Sequence, residues 1–489
     1  MPLTAKAEAD LDVVIIGAGF AGLAMAYHLK QIGVERFAIL ERGDGVGGVW
    51  RANTYPGAAC DVPSQLYSFS FFLNPDWSRK YPAQEEILDY MQRAADELDI
   101  TPHVRANHNV TSLRFDNDRR CWHIALDGQA DLTARAVVSA VGQLAEPAYP
   151  DIAGLEDFKG PVIHTAHWDD KADFTGQRVA VIGNAASAIQ LIPRVAETAS
   201  ELTVFQRTAN WMIGKPDRAF TAFEKALFRA VPLWQRFYRR MSFLIHEARF
   251  LSFVSGSLAN KSTTWQMRQR LKREVADPSL RAALTPDYEP GCKRILLSND
   301  YFATLQRDHV HLVTERAQSA EPDAILTPSG QRIDADAVIL ATGFHATEFL
   351  ASLDVIGRDN QSLAAHWNGA PSAYNGLAVH GFPNLFMLYG PNTNLGHNSI
   401  IYMIEQQARY AAKKLKTIVN DDVVLDVRAQ AETQFNDHTQ AKLAKTVWAK
   451  DCGSWYRTDQ GIVTNNWYGL CTSFAHRLAR DDSENWSTL

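Results

Sequence analysis

No stretch of the 489-residue chain approaches the ~18 consecutive apolar residues of a membrane-crossing helix, and the segment Met1 to Asp10 contains no apolar signal core. Together these absences lead to the expectation of a soluble, cytoplasmic protein. Charge of one sign is also scarce. With 49 Lys and Arg against 55 Asp and Glu, the net charge is −6, which offers nucleic acid no electrostatic footprint. The five cysteines, at positions 60, 121, 292, 452 and 471, include no Cys-x-x-Cys pair, which removes redox chemistry on neighbouring thiols. Odd in number and far apart, they fit reduced thiols rather than a disulfide framework. No Gly-x-Ser-x-Gly elbow and no Gly-x-x-x-x-Gly-Lys-Ser/Thr loop occurs, so hydrolase and P-loop readings have no support. His164 and His167 are spaced like a ligand pair, but no further ligand type stands at convincing spacing, and no metal is expected. Internal repeats and low-complexity tracts are likewise missing.

What is present begins at Val13. Four apolar residues, Val13 to Ile16, run into Gly17-Ala18-Gly19-Phe20-Ala21-Gly22, and a helical pattern follows through Leu23, Ala26, Tyr27 and Leu29. In a strand, glycine turn and helix of this kind, Gly17 makes the turn, Gly19 admits a pyrophosphate, and Gly22 lets helix pack on strand. The phosphates rest on the helix N-terminus, where free N–H groups and the macrodipole favour negative charge. A second strand, Phe37 to Leu40, delivers Glu41 at the position expected of the acid that binds ribose hydroxyls. A glycine-rich loop from Arg42 to Trp50, the turn Tyr55-Pro56-Gly57 and then Asp61 follow. An amphipathic helix is expected at about Gln84 to Leu98, with strands around Val110 to Leu126 and Ala136 to Val141.

At 489 residues the chain exceeds one ordinary core, so two or three domains are expected. The proline-punctuated Ala145 to Pro150 reads as a linker. Beyond it, Arg178 to Ile182 enters a second turn at Gly183, with Ala185, Ser187 and Ala188 in the places that follow. The next strand, Leu202 to Phe205, ends in Gln206-Arg207-Thr208. An Arg there accommodates a 2′-phosphate and argues for NADPH over NADH. About 215–288 reads as a helical insertion, whose segment Trp234 to Ile245 mixes basic and apolar residues. Lying on a membrane surface is compatible with that mixture, but covering a core is the commoner role, and membrane contact is not expected. A strand at Val310 to Val313 should close the second unit, and Ala337 to Leu340 should return the chain to the first, turning at Ala341-Thr342-Gly343. Last comes Gly390-Pro391-Asn392, then a helix from Ile400 to about Ile418 with Asn398 or Ser399 as its N-cap. The expected fold class is α/β, with two Rossmann-like dinucleotide-binding domains. Residues 1–150 and 332–489 form a discontinuous FAD-binding domain, and 151–331 form an NADP-binding domain that carries the insertion.

Two longer signatures carry a family resemblance. Phe158, Gly160, His164, Trp168 and Asp169 fit FxGxxxHxxxW(P/D), and Gly47, Gly48, Trp50, Tyr55, Pro56, Gly57 and Asp61 fit GGxWxxxxYPGxxxD. The chain thereby resembles type I Baeyer-Villiger monooxygenases of the flavin-containing monooxygenase superfamily. That resemblance implies tightly but non-covalently bound FAD, NADPH as reductant, and insertion of one oxygen of O₂ beside a ketone carbonyl through a peroxyflavin, giving an ester or lactone. It implies that Arg294 is the active-site cation and Asp61 its partner. Further cofactor contacts are expected from Gly17, Gly19, Phe20, Gly22, Glu41, Gly48, Trp50, Asp61, Tyr67 and Val110 on the first nucleotide. Gly183, Ser187, Arg207, Thr208 and Lys293 should serve the second, and Thr342, Gly343 and Asn392 are also expected to contact cofactor. Lys293 and Arg294 are neighbours on a segment expected to be extended, so they should face opposite sides. Gly160, His164 and Trp168 read as domain-coupling residues on the connection between the two units. The chain departs from the family pattern at Ala185, and at Tyr468, where many relatives have Pro. The expected partners are O₂ and a small apolar ketone, with the protein a monomer or homodimer. The rival functions are an S- or N-oxygenating flavin monooxygenase and a non-oxygenating NADPH-flavin oxidoreductase.

Overall fold

The computed structural model describes residues 9–350 and 352–489; the absence of a signal core was read from a segment, Met1 to Asp10, that lies almost entirely outside them. Apolar, β-branched runs build the first sheet. Its strands are β1 (Leu11–Ile16), β2 (Phe37–Leu40), β3 (Val104–Arg105), β4 (Val110–Asp116), β5 (Cys121–Leu126) and β6 (Leu132–Ser139). β3, β2, β1 and β6 lie side by side in parallel, and β5 and β4 continue antiparallel. Every residue of β2, and all of β1 after Leu11, is buried, as a strand covered on both faces requires. Helix α1 (Phe20–Gln31) crosses one face and is followed by the short α2 (Val49–Ala52) and by α3 (Gln84–Glu97).

The second sheet begins with β7 (Val162–His164), β8 (Arg178–Ile182) and β9 (Glu201–Phe205), with α4 (Ala186–Val195) between the last two. Four helices form the insertion: α5 (Ala222–Ala230), α6 (Pro232–Ala248), α7 (Leu258–Glu274) and α8 (Pro278–Ala283). A short pair, β10 (Met212–Ile213) with β11 (Leu296–Leu297), brackets it. Then come β12 (Val310–Val313), the antiparallel β13 (Ser319–Glu321), β14 (Ala324–Leu326) and β15 (Arg332–Asp334), and β16 (Ala337–Leu340). The second sheet is wholly parallel in the order β12-β9-β8-β16-β7.

This order corrects two expectations. Ala337 to Leu340 does not return the chain to the first sheet. It pairs with β7 and β8 in the second, so the crossing back comes after Leu340 rather than near 332. His164, expected on a connection, is the last residue of an edge strand. The two crossings between the sheets lie against each other: Ala148 N–H donates to Gly343 O at 2.9 Å, and His345 N–H to Glu146 O at 2.9 Å.

After the crossing, β17 (Asp354–Ile356) extends the first sheet beyond β4, and β18 (Leu385–Met387) pairs with the half of β6 that β5 leaves free. The Ile400–Asn420 helix packs on α1. Ser399 is its N-cap by position, but its hydroxyl donates to Leu66 O at 3.0 Å instead of capping the helix. The cysteine expectation also fails in part. Cys292 and Cys452 form a disulfide across 160 residues, while Cys60 and Cys471 are free and buried and Cys121 is buried. Only folding brings the pair to a Cα separation of 6.4 Å; spacing in the chain carries no sign of it.

The insertion is fastened through a buried polar knot. Glu247, near the end of α6, accepts from Thr472 N at 2.9 Å, Thr472 Oγ1 at 2.8 Å and Asn398 Nδ2 at 3.1 Å, and His397 Nε2 lies 3.7 Å away. Burial acts to raise its carboxyl, but these donors overcome burial and bring it down to about 2. A depressed carboxyl stabilises the fold above its ordinary range and loses that contribution as pH falls through the lowered value. Glu247→Gln is expected to destabilise the protein by ~2 kcal/mol at neutral pH, read by urea unfolding, with the difference shrinking as pH falls toward 2.

Candidate active site

Glycine-bearing segments converge at the C-terminal end of β1. Gly17 turns with φ +103°, and a Cβ on Gly22 would come within 2.0 Å of the Gly17 carbonyl oxygen. Gly48, at φ +53°, meets Gly19 so closely that its Cβ would lie 3.0 Å from the Gly19 Cα. Two stretches of bare backbone therefore face one another. Helix α1 starts there with no side-chain cap and no acid in its first turn, so its N–H groups and positive end suit an anion. Glu41 is fixed beside the turn, accepting from Ala18 N–H and Gly43 N–H, both at 2.7 Å. An aromatic wall completes the cradle: Trp50 Nε1 donates to the Tyr67 hydroxyl at 3.0 Å, and Phe20 packs edge-on to Tyr67 at 5.2 Å.

Four further residues expected at the cofactors have these surroundings. The Val110 side chain is buried behind the sheet with Leu126 and Leu40, where it serves the core. Asn392 is buried and pins the C-terminal segment, donating its Nδ2 to Val463 O at 2.8 Å and its N–H to Thr464 O at 2.6 Å. Thr342 Oγ1 donates to Ala148 O at 2.6 Å, and Gly343 sits at φ +86°, so both hold the crossing.

The second sheet repeats the arrangement. Gly183 turns at φ +116°, and its Cβ would lie 2.4 Å from Ala341 O. Helix α4 also starts uncapped and without an acid, at Ala185, with Ser187 in its first turn. Asn184 Nδ2 donates to Thr208 O at 2.8 Å, which draws the end of β9 to this turn. Near it, burial pulls the Lys293 ammonium below its usual value, and the neighbouring Arg207 guanidinium pulls it lower, against Asp287. Neither Lys293 nor Arg207 forms an ion pair among the described residues; Lys293 lies over the Tyr288 ring at 5.2 Å. Two cations crowded together in this way suit a polyanion.

Between the two cradles lies a charged pair. The turn Tyr55-Pro56-Gly57 docks on α4: the Tyr55 hydroxyl donates to Gln190 Oε1 at 2.9 Å, and a Cβ on Gly57 would come within 2.5 Å of Gln190 O. That docking delivers Asp61. One carboxylate oxygen of Asp61 accepts from Arg294 Nε at 2.9 Å and from Nη2 at 2.5 Å. Neither bond uses Arg294 Nη1. Neither Lys293 nor Arg294 lies in a strand: Lys293 is at a bend and Arg294 in irregular backbone, with Lys293 over Tyr288 and Arg294 on Asp61. The Asp61 charge raises Arg294 above its usual value and outweighs the burial that lowers it. The pair keeps 33% and 27% of its side-chain surface accessible while protein surrounds it, so it lines a cleft. Tyr67 is close enough to feel the Asp61 charge, which ties this pair to the first cradle.

Sequence reasoning did not single out Tyr389 and Tyr456. Burial raises both hydroxyls, and the Arg294 charge beside them counteracts it. Tyr389 stood beside Gly390-Pro391 as a visible signal, whereas Tyr456 had none. The Cys292–Cys452 bridge, two residues before Arg294, ties that segment to the one bearing Tyr456. Gly160 and Trp168 flank β7 of the second sheet on either side. A Cβ on Gly160 would lie 1.9 Å from Asp336 O, and Trp168 packs on Phe174 at 5.8 Å. His164 packs tilted against Tyr149 at 5.1 Å and edge-on to Phe344 at 6.3 Å, beside the crossing.

Comparison with known proteins agrees with this geometry. A family model described as pyridine nucleotide-disulphide oxidoreductase matches residues 14–221. The chain is 39% identical over 98% of its length to a Baeyer-Villiger monooxygenase of Streptomyces coelicolor, covering 92% of that protein. It is 41% identical over 93% of its length to one of Pseudomonas aeruginosa, covering 86% of it. Among solved structures, OTEMO in complex with FAD and NADP superposes with a TM-score of 0.89 at 28% identity, over 99% of this chain and 100% of that one.

Proposed function

This chain belongs to the Baeyer-Villiger monooxygenases, and from that premise we propose that Arg294 and Asp61 form the catalytic centre of an FAD- and NADPH-dependent oxygen insertion into a ketone. Ketone, O₂, NADPH and a proton give ester or lactone, water and NADP⁺. The observation that carries this reading is a guanidinium held by one carboxylate oxygen in a cleft between two anion-ready glycine turns.

The residues present fit both cofactors. Bare backbone at Gly17, Gly19, Gly22 and Gly48 admits the FAD pyrophosphate, Glu41 stands at its ribose, and Phe20, Trp50 and Tyr67 wall the site. Gly183 and Ser187 receive the NADPH pyrophosphate, and Arg207, Thr208 and Lys293 its 2′-phosphate. Bound FAD, once reduced by NADPH, supplies the activation of O₂. Arg294 contributes a charge that does not titrate near neutral pH. It can therefore stabilise negative oxygen without giving up the proton that would neutralise it. Asp61 aims the guanidinium and limits its drift, while Tyr389 and Tyr456 restrict water around it. Gly160, His164 and Trp168 act at a distance, by shaping the sheet edge and the crossing. The substrate is an apolar ketone, in keeping with the aromatic lining.

Measuring NADPH consumed against ester formed over linear, cyclic and aryl ketones tests the assignment. Matched stoichiometry on at least one ketone supports it, and hydrogen peroxide as sole product from all of them overturns it. A separate expectation concerns the reductant. Arg207→Ala and Lys293→Ala should each raise KM for NADPH by about 10- to 100-fold, the worth of a charge-assisted hydrogen bond. KM for NADH should hardly change, because it lacks the phosphate they hold.

A further inference from the structure

Helix α6 of the insertion turns an apolar stripe outward. On α6, Leu233, Trp234, Phe237, Met241, Leu244 and Ile245 recur at the spacing of a single helix face. That face points to solvent, with exposures from 40% at Met241 to 74% at Leu233. The opposite face sets Tyr238 and Phe243 against the core but is otherwise polar and largely buried. Gln235 Nε2 donates to Gln65 Oε1 at 2.9 Å and to Asn74 O at 2.7 Å, Arg239 Nη1 donates to Ser68 Oγ at 3.0 Å, and Glu247 sits in its knot. A helix that merely covers a core shows the reverse. Phe223, Leu251, Leu258 and Trp265 on the neighbouring segments are 58–85% exposed. Of the seventeen large hydrophobic residues exposed among the described residues, eleven fall between 223 and 265. Scattered exposed apolar residues are ordinary, but a concentration of this kind marks an interaction surface.

Charge identifies the partner. Residues 221–274 hold eleven Lys and Arg against three Asp and Glu, a net charge of +8 in a chain whose total is −6. Arg236, Arg240 and Arg249 are exposed around the apolar stripe, and none of them forms an ion pair among the described residues. A second copy of the chain would bring two strongly positive faces together. An anionic bilayer satisfies both features, taking the apolar stripe into its interfacial zone and the arginines onto its headgroups.

We propose that α6 and its flanking segments are a docking surface for an anionic lipid bilayer. The insertion also holds the segment that leads to Arg294. Asn260 Nδ2 on α7 donates to Pro290 O at 3.0 Å, and the Ser255 hydroxyl to Glu289 Oε2 at 2.9 Å. Docking thus places the cleft beside a reservoir of apolar molecules, a consequence that rests on the ketone reading above; the surface itself does not.

Co-sedimentation of the flavin-loaded protein with phosphatidylcholine vesicles, with and without phosphatidylglycerol, tests the proposal. Binding is expected only to the anionic vesicles and should weaken steeply with added salt. Arg236→Gln and Arg240→Gln should each weaken it about fivefold. Phe237→Glu with Leu244→Glu should abolish it while flavin content and the rate of NADPH oxidation in buffer stay unchanged. Equal binding to neutral and anionic vesicles overturns the proposal. So does failure of the unaltered protein to bind either, including the case where sedimentation velocity shows a dimer that Phe237→Glu with Leu244→Glu dissociates. A protein that binds vesicles but oxidises no ketone would overturn the catalytic reading alone.

Discussion

Arg294→Ala is expected to lower ester formation by at least about 10²–10³-fold, the usual loss when one preorganised donor leaves a water-poor site. Reduction of the flavin by NADPH should stay within a few-fold of the unaltered rate if Arg207 and Lys293, rather than Arg294, bind the reductant as proposed. Oxygen consumption should continue, with hydrogen peroxide in place of ester. The variant also leaves Asp61 without the partner that its oxygen now engages twice. Arg294→Lys separates charge from geometry. It keeps a cation but loses the rigid fork, and an ammonium titrates where a guanidinium does not. Asp61 raises Arg294 further, so the unaltered enzyme should show no alkaline loss of activity from this residue, whereas the Lys variant should gain one. Rapid-mixing measurement of flavin reduction, alongside ester and peroxide yields, checks each part. Wild-type ester yield from the Ala variant would remove Arg294 from the chemistry.

Gly160→Ala should give the largest stability effect. The added Cβ would meet the Asp336 carbonyl oxygen at 1.9 Å, its carbon at 2.9 Å and the Phe158 ring at 2.9 Å. Two of these neighbours are backbone, in the turn between β15 and β16, and cannot step aside. Overpacking of this severity costs ~3 kcal/mol, or about 10 °C in the melting of a domain of ordinary size. Strand β7 forms the edge of the second sheet, so NADPH affinity should fall with it while the flavin remains bound. Thermal unfolding followed by flavin fluorescence and by circular dichroism resolves the two. An unchanged melting curve would mean that the glycine of this signature is not there for space.

The first nucleotide cradle was legible because it is local. Val13 to Leu29 and Glu41 read as strand, turn, helix and acid from neighbouring residues, and the structure places them so. The Asp61–Arg294 pair spans 233 residues and was reachable only through a family signature, since no periodicity links the two. Ala337 to Leu340 was misplaced for a physical reason. All four residues are apolar and buried, and a strand covered on both faces reads alike in either sheet. The contact of Asn392 with the C-terminal segment, through its amide, had no sign in the sequence because it joins residues 71 apart. The mixture of basic and apolar residues from Trp234 to Ile245 was visible, but not which of them face outward, since that depends on polar partners such as Gln65 and Asn74. Tyr456 and the Cys292–Cys452 bridge arise from long-range packing and left no local trace.

The pairing of β18 with β6 sets a schedule for biosynthesis. The five parallel strands of the second sheet are all present once Leu340 has left the ribosome. The first sheet, begun at Leu11, still lacks β17 and β18 at that moment, and one edge of β6 stands open over Val137–Ser139 until Leu385–Met387 emerges. The unit started first is therefore finished last. During that interval the nascent chain exposes an apolar strand edge, the species most prone to stray association.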